Sequence, residues 1–466
     1  MRWYPEPVRG FNEERPMPNP LPPMAPLSAQ EIVELCKRHT LFEWSAQSAV
    51  DPIPVARAKG IHFWDPDGKR YIDFNSQLMC VNVGHGDERI IDAITQQART
   101  LAYANPFMAT EPRARLGKML AEITPGDLNR FFFTLGGAEA NENAIKIARA
   151  VTGRHKIMAR YRSYHGATHG AISLTGDPRR WAAEPAISGV VRVLDPYRYR
   201  CSFCKTAPAC TLDCLNHVEE VMQYEGPQTI AAIFVETVVG TNGLIIPPDG
   251  YLPGLRALCD KYGILLVCDE VMAGFGRTGE WFAVDHWKVV PDLMTMAKGL
   301  TSAYLPGGAV AMREAIAARF DDKPFYGGLT YNSHPMLCAA AIATIQVYKE
   351  DRLIENARAM GKVLASELQR MKERHPSVGD VRSIGLFGIV ELVRNRATRE
   401  PMAPYNGTSP EMAKLGKFFR ENGLFTFVRW NNFFTNPPLC ITEPELKEAF
   451  AIIDRALEIT DAAAAG

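Results

Sequence analysis

Ile264-Leu-Leu-Val-Cys268 is a run of five apolar residues that leads straight into Asp269-Glu270. A strand buried on both faces reads this way, and such strands belong to parallel sheets covered by helices. Carboxylates are costly to keep dry, so a pair at the end of a buried strand faces a site there. Further on, Pro291-Asp-Leu-Met-Thr-Met-Ala297 is a second apolar run, and it closes on Lys298-Gly299. A lysine ending that strand would meet Asp269 across one sheet edge. Phe131-Phe-Phe-Thr-Leu135 and Ala231-Ala-Ile-Phe-Val235, the latter ending in Glu236, repeat the pattern. Helical stretches lie between these runs, so the expected fold is α/β with a mainly parallel central sheet.

A chain of 466 residues is too long for one ordinary domain core and long enough for two. Lys plus Arg and Asp plus Glu each number 52, so the net charge is zero. That balance argues against a nucleic acid or a membrane surface as the main partner. No apolar run reaches transmembrane length, and Met1-Arg-Trp-Tyr-Pro-Glu-Pro lacks the basic-then-apolar order of a secretory signal. Cys80, Cys259, Cys268 and Cys338 sit inside apolar runs, as thiols do in a reducing cytoplasm. Gly274-Phe-Gly-Arg-Thr-Gly279 formally fits the dinucleotide fingerprint, but Glu280-Trp-Phe-Ala-Val-Asp285 follows where an apolar helix is required. No Gly-Lys is followed by Ser or Thr, so a P-loop is absent as well.

An acid and an amine at neighbouring strand ends suit pyridoxal 5'-phosphate (PLP): the amine forms a Schiff base with it, and the acid keeps its pyridinium nitrogen protonated. Alone, either motif is an ordinary strand end. Together, Asp269-Glu-Val-Met-Ala-Gly-Phe-Gly-Arg-Thr-Gly279 and Ala297-Lys-Gly-Leu-Thr-Ser302 closely resemble the class III PLP-dependent aminotransferases, which include ω-amino acid and amine transaminases using pyruvate. The resemblance runs from about Gly60 to about Glu443. It implies PLP fold type I, with residues 1–80 as an arm and the first part of a small α+β domain. Residues 81–335 would form the large PLP-binding domain, and 336–466 the rest of the small one. It further implies a homodimer or a tetramer, with shared active sites. The reaction implied is ping-pong transfer, through pyridoxamine phosphate, of an amino group from an ω-amino acid or amine to pyruvate. Another fold type I enzyme, a decarboxylase or aminomutase, is the alternative.

The resemblance also assigns residues. Lys298 carries the cofactor and shuttles a proton, and Asp269 pairs with the pyridinium. Gly136-Gly137-Ala138 opens an Ala-rich helix whose first turn is an anion site for the phosphate. Many members read Ser-Gly-Ser there, so only the backbone donors of Gly137 and Ala138 carry over. Tyr164, from the Tyr164-His165-Gly166 triplet, stacks on the ring, and His165 and Glu236 lie around it. Val271 packs on the opposite ring face. Val239 stands where many members have a glutamine that reaches the phenolic oxygen. Thr330 reaches the partner's phosphate across the dimer. For substrate, Tyr164 and Met79 line the pocket, Met79 where a tryptophan is common, and Arg429 grips the carboxylate of pyruvate or of an ω-amino acid. Aromatic residues after Arg429 replace a Gly-Asp turn found in many amine transaminases.

Four cysteines fall outside that resemblance. Cys201, Cys204, Cys210 and Cys214, with His217, leave three readings open: a metal site, disulfides or free thiols. No metal is assigned to the site residues. Elsewhere, Met17-Pro-Asn-Pro-Leu-Pro-Pro23 excludes regular structure and reads as an arm or a disordered lead. Ser28-Ala-Gln-Glu31 has capping-box spacing, and Gly60 to Asp73 reads as a hairpin around Asp65-Pro-Asp-Gly68. Helices are expected over about Met336–Tyr348, Arg352–Arg374, Pro410–Asn422 and from Glu443 on, with strands around Val381–Val393.

Overall fold

A computed structural model of the chain describes residues 22, 24–204 and 209–464. Apart from Pro22, the proline-rich Met17–Pro23 segment lies outside them. Contacts divide the chain into Met1–Pro54 and Val55–Gly466. In the first unit a helix spans Ala29–His39. Ser28 Oγ accepts the Glu31 N–H, and the Glu31 carboxylate accepts the Ser28 N–H at 2.8 Å, the reciprocal cap that the spacing predicts.

The second unit begins with three antiparallel strands, β1 (Arg57–Lys59), β2 (His62–Trp64) and β3 (Arg70–Asp73). The turn between β2 and β3 is the expected one, with Gly68 N–H bonded to Asp65 O at 3.1 Å. Seven strands then build one sheet: β4 (Leu128–Thr134), β5 (Lys156–Arg160), β6 (Val190–Val193), β7 (Ile230–Glu236), β8 (Leu265–Asp269), β9 (Leu293–Ala297) and β10 (Gly308–Arg313). Their order is β4-β10-β9-β8-β7-β5-β6. β5 to β9 are mutually parallel. β10 is antiparallel to both its neighbours, so β4 runs with the parallel set. β7 and β9 are buried throughout, which is why their sequences read as unbroken apolar runs.

The register places the strand ends side by side. Glu236 lies opposite Asp269, Asp269 opposite Thr295, and Gly308 opposite both Ala297 and Thr134. All these positions lie on the edge where the parallel strands finish. In open sheets of this kind ligands bind outside the carboxyl ends of the strands.

Toward the C-terminus come β11 (Val378–Ile384), β12 (Phe387–Asn395), β13 (Glu400–Pro401), β14 (Leu424–Phe425), β15 (Val428–Arg429) and β16 (Asn432–Thr435). β11, β12, β16 and β15 form an antiparallel sheet with β13 beside β12. β14 instead pairs in parallel with β3, Leu424 opposite Ile72, so the first hairpin and the last third of the chain share a sheet. Helices over Pro335–Glu350, Leu353–Arg374, Pro410–Glu421 and Glu443–Asp461 fall within a few residues of expectation. Among the described residues, no helix is long and apolar enough to cross a membrane.

Candidate active site

A cavity of about 380 Å³ opens at the carboxyl edge of the seven-stranded sheet. Gly137, Ala138, Tyr164, His165, Glu236, Asp269, Val271 and Lys298 all line it. These come from the ends of β4, β5, β7, β8 and β9, which explains how residues so far apart in sequence converge.

Asp269 is held by a dense set of donors. Its Oδ2 accepts from Asn141 Nδ2 at 2.8 Å and lies 2.8 Å from His165 Nδ1, while its Oδ1 accepts the Val271 N–H at 3.0 Å. Asn141 is fixed in turn: its Nδ2 also donates to His165 O at 2.7 Å, and its Oδ1 accepts from Thr295 Oγ1 at 2.9 Å. A carboxylate so fastened keeps its charge in one place, which an acid meant to pair with a ring cation requires. Glu236 is buried on the same edge and accepts the N–H groups of Tyr164, at 2.9 Å, and Gly240, at 2.8 Å. Burial pushes its carboxyl pKa up, and the nearby Asp269 adds to that.

Lys298 follows β9 with a positive φ of 46°, a conformation costing a non-glycine residue about 1–2 kcal/mol. The backbone strain lies at the residue expected to do chemistry, and the rigid sheet edge around it holds it there. Burial drives its amine below the ordinary value of 10.5; Cys80, Glu236 and Asp269 oppose that, and the Arg179 guanidinium adds to it. A less basic amine is the form able to attack a carbonyl carbon.

The helix Gly137–Thr152 starts at the cavity without any side-chain cap, and Gly136 before it is fully extended. Its first-turn N–H groups are the donors that a helix cannot satisfy internally. A Cβ at Gly137 would come within 2.9 Å of both Val271 methyls, so glycine is what lets Val271 approach the helix start. An uncapped helix start, a fixed carboxylate, a depressed lysine, and an apolar Val271 and an aromatic Tyr164 in one cavity lining fit PLP in phosphate, ring nitrogen, aldehyde and ring faces. One face of Tyr164 is covered by the Arg179 guanidinium, 3.7 Å from the ring centre.

Three expected residues are not among those lining the cavity. Met79 is 2% exposed and packs with Val238, Leu244, Met272, Phe387 and Phe434; the neighbouring Leu78 lines the cavity instead. The reason is local: Ser76, Gln77 and Met79 all have positive φ, and this kinked turn rotates Met79 inward. Thr330 is exposed, in a segment whose carbonyl accepts from Tyr103 Oη at 2.8 Å. Arg429 is mostly buried and paired with Asp177 at 3.2 Å. Val239 lies in a small cluster with Tyr197 and Ile245. The sequence reading passed over Asn141, Thr241 and Leu78 as lining residues, since an amide inside a helix and single loop residues carry no pattern of their own.

A second cavity, about 440 Å³, is lined by Tyr197, Cys201, Cys204, Cys210, Cys214 and Arg382 among others. All four thiols are free. Cys204 N–H donates to Cys201 Sγ at 3.3 Å. Among the described residues, no group of His, Cys, Asp or Glu is placed to hold a metal ion. This cavity has none of the acid–amine chemistry of the first.

Known proteins resemble the chain over nearly its whole length. The family model described as Aminotransferase class-III matches residues 45–457. A taurine–pyruvate aminotransferase of Bilophila wadsworthia is 34% identical over 91% of this chain and 96% of that one. A leucine/methionine racemase of Thermococcus litoralis is 35% identical over 92% and 95%. The crystal structure of a taurine:2-oxoglutarate aminotransferase from Bifidobacterium kashiwanohense, in complex with PLP and glutamate, superposes with a TM-score of 0.91 at 43% identity, covering 94% of this chain and 99% of that one. The chain belongs to the class-III aminotransferases; it has the fold of the type I PLP enzymes, and its cofactor is PLP.

Proposed function

We propose that this protein is an ω-transaminase that moves the amino group of an ω-amino acid or amine to pyruvate. One observation carries the chemistry: Lys298 and Asp269 close two adjacent parallel strands around one cavity, beside an uncapped helix start. The relatives that pair taurine with pyruvate and taurine with 2-oxoglutarate support an ω-donor and a small keto acid.

Bound PLP supplies a carbonyl that exchanges amines and a ring that takes up the electron pair of a broken C–H bond. Lys298 Nζ holds the cofactor between turnovers. With PLP bound, the free Nζ of Lys298 would be the base that takes up and returns the proton of the substrate carbon. Asp269 would keep the proton on the ring nitrogen, and Asn141, His165 and the Val271 N–H hold the Asp269 carboxylate in place. The N–H groups of Gly137 and Ala138 bind the phosphate, and Val271 and Tyr164 hold the ring flat between them. Glu236 lies near both lysine and ring. Arg429 takes the acid group of pyruvate or of an ω-amino acid.

Thr330 supplies a hydroxyl to a neighbouring copy's phosphate, which makes the working unit a homodimer or a tetramer built from dimers. Its exposed position, with Tyr326, Tyr331 and Phe107 exposed in nearby segments, supports this. Residues 81–335 form the cofactor domain, with the small domain built from both chain ends. Ten free cysteines suit the cytoplasm.

Racemases share the family, so the decisive measurement is a half-reaction. Without acceptor, a donor such as taurine, β-alanine or a diamine should convert the bound cofactor to its amine form and release one equivalent of carbonyl product. Added pyruvate should restore the original spectrum and yield alanine. Inversion of an amino acid without a keto product would sink the transaminase reading. Running pyruvate and 2-oxoglutarate side by side identifies the acceptor.

A further inference from the structure

Asp177 follows the stretch that begins at Tyr164, and it is fully buried. Its carboxylate caps the helical turn Pro178–Ala183 by accepting the Arg179 N–H at 2.9 Å. The Arg179 side chain then folds back onto the same group, with Nε 3.1 Å from Oδ1 and 2.9 Å from Oδ2, and Nη2 also bonded to Oδ2. A further bond at 2.8 Å runs from Arg179 Nη2 to Thr241 Oγ1 on the cavity wall.

Arg429, at the end of β15, reaches the same Asp177 Oδ2 from the other side, by one contact of 3.2 Å. Two guanidinium groups thus share one carboxylate, unequally. The Arg429 side chain is 14% exposed, and its buried Nε has no hydrogen-bond partner among the described residues. It also stacks on Trp430, 4.3 Å from the ring centre. Burial, followed by the charge of Arg179, pushes its pKa down to about 10, with Asp177 opposing. A buried cation with an unmet donor and a single long bond is poorly satisfied. Its counter-ion has already committed both oxygens elsewhere.

We propose that Asp177 is the resting counter-ion of Arg429, and that Arg179 sets how loosely it is held. The proposal rests on Arg429 being the acid clamp. An acid-bearing substrate exchanges its carboxylate or sulfonate for Asp177 on Arg429. A donor without an acid group leaves Arg429 on Asp177, so no unpaired cation faces it. Arg179 is a positioning residue: by occupying Asp177 bidentately, it keeps the Asp177–Arg429 bond weak enough to be exchanged.

Two substitutions should then shift selectivity in opposite directions. Asp177→Asn keeps an oxygen for the cap but removes the competing charge. It should raise the ratio of kcat/KM for an acid-bearing donor (β-alanine or taurine) over an acid-free one (benzylamine) by about tenfold, the scale of one charge-assisted bond. Arg179→Gln leaves Asp177 wholly to Arg429 and should lower that ratio by a similar factor, mainly through the KM of the acid-bearing donor. Propionate, which carries the acid without the amine, should protect Asp177→Asn against heat more than wild type, and Arg179→Gln less. If Asp177→Asn does not fold, Arg179→Gln and the propionate shift carry the test alone. A merely structural role would lower both donors together, and that result, or two shifts of the same sign, overturns the proposal. Arg429→Ala separates the two ideas. If it costs both donors equally, the clamp itself is wrong. If it discriminates between them while the other variants do not shift oppositely, only the role of Asp177 fails.

Discussion

Asp269→Asn changes one atom in a site where both carboxylate oxygens already accept hydrogen bonds. Oδ1 of Asp269 faces the Val271 N–H, and Oδ2 faces the Asn141 amide, itself turned by its bond from Thr295 Oγ1. An asparagine can offer its oxygen to only one of these; its NH₂ must meet a donor on the other side. His165 could turn Nδ1 into an acceptor only by moving its proton to Nε2, which is buried without a partner. The variant therefore carries a donor–donor clash worth about 1–3 kcal/mol in stability. The larger effect is on rate. A unit charge about 4 Å from the ring nitrogen, in surroundings of effective dielectric about 20, is worth about 4 kcal/mol, or roughly a thousandfold. Stopped-flow absorbance of the donor half-reaction measures the rate, and thermal unfolding of the same sample measures the clash. A half-reaction within tenfold of wild type would refute the pairing. Unchanged stability would refute the donor accounting, whatever the rate.

Lys298→Ala should end turnover, and borohydride should fix the cofactor of the wild type on Lys298; label on another lysine refutes the assignment. In the cofactor-free protein, burial holds the Lys298 pKa below 10.5. Between its folded value and 10.5 the unfolded chain binds a proton that the folded one does not, so stability should rise with pH across that window and level off above it. Lys298→Met should lack this contribution, and an identical pH slope in both proteins would contradict it. Thr330→Ala should weaken PLP retention by about 1.5–3 kcal/mol, the worth of one bond to a charged phosphate, with excess PLP restoring much of the rate. A fully active monomer would remove its role across the dimer. Replacing Cys201, Cys204, Cys210 and Cys214 together by serine should leave the half-reaction rate within about threefold, because these thiols line a separate cavity. Loss of the PLP spectrum in a folded quadruple variant would overturn that.

Much of this site was legible before any coordinates, for a physical reason. A strand buried on both faces must be apolar along its length, so the first charge after it marks where the chain leaves the core. Glu236, Asp269 and Lys298 announce themselves in this way, and Gly136-Gly137 before an Ala-rich helix marks a candidate anion site by the same kind of local rule. Reciprocal caps and turns, such as Ser28 with Glu31 and Asp65 with Gly68, are also short-range and read directly.

Other features depended on orientation or on partners distant in sequence, and only the tertiary structure decided them. Whether Met79 or Leu78 faces the cavity turns on a kinked backbone with positive φ at Ser76, Gln77 and Met79, which no side-chain pattern encodes. Asn141 looks like any polar helix residue until the packing of its helix against the sheet brings it to Asp269 and Thr295. Four neighbouring cysteines admit metal, disulfide or free thiols equally well, because sulfur-to-sulfur geometry is not written in spacing. The family resemblance singled out Arg429 as a candidate clamp. That it rests on Asp177, a residue 252 positions away and already taken by Arg179, follows from how β15 folds back toward the loop after β5.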